Sequence, residues 1–252
     1  MRPSETDHVS ADPRCSYATF SVLFSVMDVD RYSSPGRYLA ALPAGRYVHI
    51  SSLPGSANAA KSAASRAASR GEIIALRRGL YYKGVPTRYG MATPPKEDVA
   101  LEVLGRVGVG PAGVSAARAF NLTTQVPARP ELATASPVPA NVSGVRIHKR
   151  NNMARRDLTY DEIALLEVLR DFRFTSESTW DALVEAVARR VEVRKVRPAK
   201  VLKAARGERK PRVAAAVARV IAELPNHRGD SMTPASDQPR GRRASARADA
   251  TV

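Results

Sequence analysis

The stretch SANAAKSAASRAASRGEIIALRRGLYYKG, residues 56–84, decides the fold of the first part of this chain. Its alanine-rich first half favours an α-helix, and Gly71 stands where such a helix would end with a residue of positive φ. Its second half places short apolar and aromatic runs on either side of Arg78-Gly79, which is typical of two strands joined by a tight turn. The stretch therefore predicts a helix followed directly by a two-stranded ribbon.

The residues before this stretch predict a shorter helix and a single helical turn. In SSPGRYLAAL, Ser34 is positioned as the N-cap and Pro35 as the first helical residue. YVHISSLP then predicts an extended segment that runs into a short helical turn around Ser51–Leu53. This order of elements, which is a helix, a short helix, a helix of small residues and a ribbon, is that of a winged helix-turn-helix. The turn at RRG would be its wing. We therefore expect an α+β protein whose residues 33–92 form a winged helix-turn-helix DNA-binding domain.

Residues 93–224 are predicted to form a second, mixed α+β domain with a helical C-terminal half. Two helices after the proline-rich TPPKED are followed by ELATASPV and SGVRIHKR, which have the character of two strands. Thr159 and Glu162 then have the spacing of a capping box at the start of the helix YDEIALLEVLRDF. Two further amphipathic helices follow, with RPAKVLKAAR as a candidate short helix between them.

The two ends of the chain carry different expectations. Residues 1–32 show no sustained periodicity and are predicted to be an irregular leader, with Met27 as an alternative start of the protein. Residues 225–252 are rich in Ser, Pro, Arg and Ala and have almost no large apolar side chains. Because such a segment cannot bury enough surface to offset the entropy of ordering it, we predict a disordered tail.

The charge of the chain predicts a polyanionic partner. The sequence has 40 Lys and Arg against 24 Asp and Glu, a net charge of +16. Basic residues cluster between Lys61 and Arg88, where Glu72 is the only acid, and again more densely between Arg189 and Arg212. The second cluster is compatible with an extended DNA footprint, RNA binding, an acidic protein partner or simply a solvated helical face.

The polar residues of the predicted alanine-rich helix fall on one helical face, while alanines occupy the rest. Ser and Arg side chains can bond the edges of bases, and Arg can bond guanine with two donors. Arginines at the ribbon tip suit phosphate or minor-groove contacts. The alternative is a plain surface helix with solvated arginines. The predicted DNA-binding residues are Lys61, Ser62, Ser65, Arg66, Ser69, Arg70, Arg77, Arg78 and Lys83.

Signatures of an enzyme are absent from the sequence. It has no glycine-rich phosphate loop ending in Lys-Ser/Thr and no closely spaced His or Cys ligands. Cys15 is the only cysteine, which excludes an intramolecular disulfide or a Cys-rich zinc site and fits a reducing cytoplasm. His49 is expected to be a half-buried packing residue. We therefore expect a cytoplasmic protein that is not an enzyme and has no catalytic residues, cofactor or metal.

Several segments together resemble a known family. ALRRGLYYKG, PPKEDVALEVLGRVGVGPAGVSAARAFNLTTQVP, ELAT and DEIALLEVLRDF are similar to the AbiEi-type antitoxins of bacterial type IV toxin–antitoxin pairs, over about residues 34–190. The resemblance implies an N-terminal domain that represses its own operon at inverted repeats, a second domain that counters a nucleotidyltransferase-like toxin, and no cofactor. It also implies a recognition helix that carries Lys61, Ser62, Ser65, Arg66 and Arg70. The wing contacts would be Arg77 and Arg78.

The sequence thus predicts a DNA-binding transcriptional autoregulator that is also the antitoxin of a toxin–antitoxin pair. Its partners would be double-stranded DNA of its own promoter and a nucleotidyltransferase-like toxin. The first alternative is a stand-alone winged-helix transcriptional regulator, and gene order would separate these two hypotheses. An RNA-binding or nucleic-acid-processing protein is the alternative from a different class.

Overall fold

The structure, a computed structural model, describes residues 34–140 and 142–225. The predicted leader and the predicted tail beyond Pro225 lie outside these residues. Within them the protein is mixed α+β, as predicted, with eight α-helices and three small sheets.

The first part of the chain has two helices and three strands. Ser34 caps the first helix and Ser56 the second, each by accepting a hydrogen bond from a backbone N–H of the first turn. The elements are α1 (Pro35–Ala41), β1 (Arg46–His49), a 3-10 turn (Ile50–Ser52), α2 (Ala57–Ser69), β2 (Ile74–Arg77) and β3 (Leu80–Lys83). The strands form an antiparallel sheet in the order β1–β3–β2. The predicted two-stranded ribbon therefore has a third strand, because β1 pairs with β3.

Helix α2 ends where the sequence predicted. Gly71 has a φ of +72°, and its N–H donates to the carbonyl of Ala68 while the N–H of Glu72 donates to that of Ala67. The buried side of α2 is alanine, which lets the helix backbone lie close to α1 and to the 3-10 turn. The core of this part contains Leu39, Val48, Leu53, Ala60, Ala63, Ala64, Ala67 and Ile73.

A second, very short hairpin follows the sheet and was not predicted. Its strands are β4 (Pro86–Thr87) and β5 (Gly90–Met91), which pair antiparallel. Two-residue strands are too short to show a periodicity, so no local pattern predicted them.

The remaining elements form the predicted α+β part with its helical C-terminal half. They are α3 (Lys96–Leu104), β6 (Val109–Pro111), α4 (Gly113–Ala119), β7 (Glu131–Thr134), β8 (Arg146–Lys149), a 3-10 turn (Met153–Arg155), α5 (Tyr160–Thr175), α6 (Trp180–Glu192), α7 (Pro198–Arg206) and α8 (Pro211–Ala222). The sheet order is β6–β7–β8, with β6 antiparallel and β8 parallel to β7. The sequence predicted β7 and β8 but not β6.

Helix α5 is the centre of the second core. Thr159 and Glu162 form the predicted capping box, and the residues from Glu162 to Leu169 are all buried. α4, β6 and α8 pack around this helix. The closest approach is at Gly110 of β6, where a Cβ atom would lie 2.6 Å from the Tyr160 carbonyl oxygen and from Ile163 Cβ. Only glycine therefore lets β6 lie this close to α5.

Candidate nucleic-acid interface

The outer face of α2 is a polar stripe, defined here as Lys61, Ser62, Ser65, Arg66 and Ser69, all of which are exposed. The buried alanines lie on the other side of the same helix. Ser69 is partly occupied, because its hydroxyl donates to the Ser65 carbonyl at 3.1 Å. The guanidinium of Arg66 has no hydrogen-bond or ion-pair partner among the described residues. The structure thus presents these five predicted residues together on one surface.

A groove of about 770 Å³ separates the first half of α2 from the turn between β2 and β3. Its floor is apolar and includes Ile50, Leu53 and Tyr81, and its rim carries Lys61, Ser65 and Arg78. The turn is held in place because the Ile50 N–H donates to the Gly79 carbonyl at 3.0 Å. Sequence reasoning missed this floor, because its residues come from two separate segments, the 3-10 turn with its C-cap Leu53 and strand β3.

The two arginines of the predicted wing differ in exposure. Arg78 is exposed at the tip, whereas Arg77 is half-buried at an irregularity in the register of β2 against β3. Arg78 is thus the better placed of the two for contact with a ligand.

Arg70, which the sequence grouped with Arg66, has a different environment. Its guanidinium donates two hydrogen bonds to the Glu72 carboxylate, at 2.6 and 3.0 Å. This hydrogen-bonded contact raises the pKa of Arg70 and lowers the pKa of Glu72. Since Glu72 offsets its charge, Arg70 offers less to an anionic partner than Arg66 does.

Lys83 lies apart from the other predicted residues. Its ammonium group donates to the carbonyls of Leu39 and Ala40, at 2.9 Å each, near the end of α1. A lysine at this position satisfies carbonyl groups that a helix leaves without partners at its C-terminus. The structure thus gives Lys83 a helix-capping contact, at the opposite end of β3 from the turn that carries Arg78.

The first part of the chain is strongly basic around this surface. Residues 34–92 contain nine Lys and Arg and one acid, Glu72, which already pairs with Arg70. A surface with this excess of positive charge attracts polyanions through its summed field.

A contact joins β1 to α3. His49, predicted to be half-buried, is half-buried, and its Nε2 lies 3.0 Å from a carboxylate oxygen of Glu102. Beside it, burial together with the negative charge of Asp98 raises the pKa of the Tyr47 hydroxyl. Tyr47 is therefore a neutral packing residue.

The second basic cluster, Arg189 to Arg212, divides into two groups. One group is held by carboxylates: Arg189 by Glu185, Arg190 by Asp161, Arg197 by Glu162, and Lys210 and Arg212 by Asp171. The other group is exposed: Arg194, Lys195, Lys200, Lys203, Arg206 and Arg209. Lys200, Lys203 and Arg206 share one face of α7 because they are three residues apart. Ion pairs within the protein thus account for only part of this cluster.

A buried charge network, defined here as Arg150, Arg155, Glu167, Arg170 and Glu208, lies inside the second part. Arg150 donates to Glu167 at 3.0 and 2.5 Å, and Arg155 bridges Glu167 and Glu208 at 2.6 Å each. Arg170 contacts Glu208 as well. Several basic residues lie close together in the sequence in and after β8, among them Arg150 and Arg155. The structure shows that Arg155 is fully buried and that Arg150 is half-buried, so their charges face Glu167 rather than a ligand.

Residues 34–140 and 142–225 contain no group of three or more His, Cys, Asp or Glu arranged to hold a metal ion. None of their helices is long and apolar enough to span a membrane.

Few known proteins are similar to this chain. No protein-family model matches the chain, and no curated protein matches it. Among solved structures, the chain is similar to the crystal structure of the RV2827C protein from Mycobacterium tuberculosis, with 14% sequence identity, 76% of each chain covered and a TM-score of 0.44. A likeness of this size carries no information on function.

Proposed function

We propose that the protein binds double-stranded DNA and that its first part, predicted over residues 33–92, acts as a winged helix-turn-helix. The observation that carries this proposal is the polar stripe of α2, which faces outward beside the turn bearing Arg78. In this proposal α2 is the recognition helix, and the turn between β2 and β3 is the wing.

The dimensions and chemistry of α2 support this role. The major groove of B-DNA is about 12 Å wide and admits an α-helix. Serine is small enough to let the helix approach the bases, and Arg66 has the fork of donors that matches guanine. Arg78, beside the groove, is suited to a backbone phosphate. A solvated surface helix would need no basic turn held next to it.

We further propose that the DNA is the promoter of the protein's own operon and that the protein is the antitoxin of a nucleotidyltransferase-like toxin, working in the cytoplasm. This part of the proposal rests on the resemblance to the AbiEi-type antitoxins. We propose no catalytic role for the protein. A stand-alone winged-helix regulator remains the alternative, and it is favoured where no such toxin gene lies next to this one.

Salt dependence tests the DNA-binding proposal. The full chain is expected to bind the DNA upstream of its own gene with an affinity that falls steeply as salt rises, because phosphate contacts release counterions. In the variant with Arg77→Ala and Arg78→Ala, the slope of log K against log salt becomes shallower by about 0.9 for each phosphate that the turn no longer binds. Fluorescence anisotropy of labelled duplexes at several salt concentrations measures both quantities.

The control for this experiment is Arg118→Ala, which removes an exposed arginine of α4. Its slope should equal that of the unaltered protein. Binding that is absent, or insensitive to salt, would contradict the proposed function. An unchanged slope in the Arg77/Arg78 variant would show that this turn is not a wing.

Co-expression tests the antitoxin proposal. The full chain carrying Arg66→Ala is expected to relieve the growth arrest caused by the neighbouring gene product as well as the unaltered chain does. The same variant should no longer repress a reporter driven by the promoter, because Arg66 lies on α2 and not in the second part. Growth and reporter activity, at matched protein levels, measure the two functions. If the unaltered chain gives no relief, the antitoxin proposal is wrong.

A further inference from the structure

The hairpin formed by β4 and β5 is a preformed projection. Thr87 Oγ1 donates to the Gly90 carbonyl at 2.6 Å and accepts from the Tyr89 N–H at 3.2 Å, which fixes the two-residue tip. The base is held because the Ala92 N–H donates to the Val85 carbonyl at 2.9 Å. At Gly84 a Cβ atom would lie 2.1 Å from the Ala92 carbonyl oxygen, so the returning strand lies directly on the end of β3.

The tip of this hairpin carries an exposed arginine–tyrosine pair. The guanidinium carbon of Arg88 lies 4.6 Å from the centre of the Tyr89 ring, and Tyr89 is 84% exposed. The tyrosine thus adds almost nothing to the core of the protein. An aromatic ring that is stacked on one face and open on the other, at the tip of a fixed turn, is arranged for contact with another molecule.

The hairpin stands at one end of the proposed recognition helix. A groove of about 610 Å³ is lined by Thr87 and Gly90 of the hairpin and by Gly71 and Glu72, which follow α2. The turn bearing Arg78 flanks the first half of α2 instead. Since α2 has 13 residues, it is about 20 Å long. Two basic turns therefore flank α2, one beside each end.

The charge of the segment between Glu72 and Glu97 indicates which kind of partner the hairpin would bind. The sequence has no Asp or Glu between Glu72 and Glu97, whereas it has five Lys and Arg there. A polyanion such as DNA is favoured, because a surface with charges of one sign attracts it through the summed field.

We propose that the hairpin 86–91 is a second DNA-contacting turn, which holds the backbone beyond the bases that face α2. The Arg88 guanidinium pairs with a phosphate, and the open face of the Tyr89 ring lies against the adjoining sugar. This inference rests on the proposed DNA-binding function and extends its footprint by one flank. DNA on the side of the C-terminal end of α2 is contacted, and the contact is independent of base sequence.

Duplexes of two lengths test the inference. The first duplex ends at the bases protected by α2 and the wing. The second duplex is extended by about six base pairs on the side of the C-terminal end of α2. This extension is roughly as long as that helix. The full chain is expected to bind the longer duplex about tenfold more tightly, the gain of one charge-assisted hydrogen bond. The variant with Arg88→Ala and Tyr89→Ala is expected to bind both duplexes equally. Anisotropy titrations at fixed salt give these affinities.

The matched control replaces Arg173 and Phe174 with Ala. These neighbours in α5 are also an exposed arginine and an exposed aromatic residue, with Phe174 83% exposed. The control variant should keep the tenfold gain. Circular dichroism confirms that each variant keeps the fold.

The outcomes separate the two proposals. If the unaltered chain binds neither duplex, the proposed DNA-binding function is wrong. If it binds both and the Arg88/Tyr89 variant keeps the gain on the longer duplex, the hairpin inference alone is overturned. If this variant loses affinity equally for both duplexes, the inference is also overturned, because the hairpin would then not contact the added base pairs.

Discussion

Replacing Glu167 with Gln is expected to lower the free energy of unfolding by about 3–5 kcal/mol, the range for breaking a buried ion pair from one side. Glu167 and Arg155 are fully buried, and Glu167 accepts hydrogen bonds from both Arg150 and Arg155. Burial by itself would raise the pKa of Glu167, but hydrogen bonds from Arg150 and the positive charge of Arg155 lower it overall. The carboxylate is thus ionised in the folded protein.

The size of this effect follows from the charge balance of the network. Three arginines face two glutamates, and Arg155 Nη2 and Arg170 Nε already have no hydrogen-bond partner among the described residues. Glu167→Gln leaves three buried or half-buried guanidinium groups with Glu208 as their one carboxylate. An interior charge without a partner is costly, because it has lost its hydration without gaining an ion pair.

The opposite substitution separates charge balance from packing. Arg155→Met leaves two arginines facing two glutamates and removes one of the unpartnered donors. It should therefore cost less than Glu167→Gln, although it also removes a buried residue from the network. Chemical denaturation of both variants measures the difference. Arg189→Met is the control, since its exposed pair with Glu185 should contribute less than about 0.5 kcal/mol. A larger loss in Arg155→Met than in Glu167→Gln would contradict this account.

The network also predicts how stability depends on pH. The pKa of Glu208, like that of Glu167, is lowered: burial opposes ionisation, but the hydrogen bonds from Arg155 and Asn152 and the positive charges of Arg155 and Arg170 together outweigh it. Groups with a lowered folded pKa stabilise the protein above their unfolded pKa, near 4.5. That stabilisation is lost as the pH falls below this value and through the folded pKa. Glu167→Gln should accordingly make the loss of stability below pH 4.5 less steep.

The elements that the sequence predicted are those with strong local signals. α2 follows from its alanine content and from Gly71, and the helix after Thr159 follows from the capping box. β6 and the β4–β5 hairpin were missed because strands of two or three residues are defined by their partners, which lie elsewhere in the chain. Pairing over long sequence distances leaves no local pattern to read.

Charge was the least predictable feature of the candidate site. Arg66 and Arg70 look equivalent in the sequence, yet Arg70 pairs with Glu72, two residues away. Lys83 belongs to the same basic run, yet it caps α1, whose residues lie about 40 positions earlier. Arg150 and Arg155 belong to a basic run and are partners of Glu167 in the interior. The partner of each side chain depends on tertiary contacts, and composition alone does not contain them.

These differences make Arg66→Ala the sharpest test of base reading by α2. We expect this variant to bind the operator about 10- to 100-fold more weakly, since one bidentate contact to a base contributes about 1–3 kcal/mol of discrimination. Binding to unrelated DNA should fall much less, because phosphate contacts supply most of that affinity. Arg66→Lys keeps the charge but loses the fork of donors. It should therefore retain the salt slope and lose the preference for the operator.

The matched control for Arg66 is the double variant Arg70→Ala, Glu72→Ala. It removes an exposed ion pair of zero net charge just beyond the C-terminal end of the same helix. Because that pair has little charge to offer DNA, operator affinity should stay close to that of the unaltered protein. A loss as large as that of Arg66→Ala would mean that the end of α2 contributes to operator binding as much as its polar stripe does, and would contradict this account. Equal losses on operator and unrelated DNA in Arg66→Ala would mean that Arg66 contacts phosphate, and base reading would then have to come from Ser62 and Ser65.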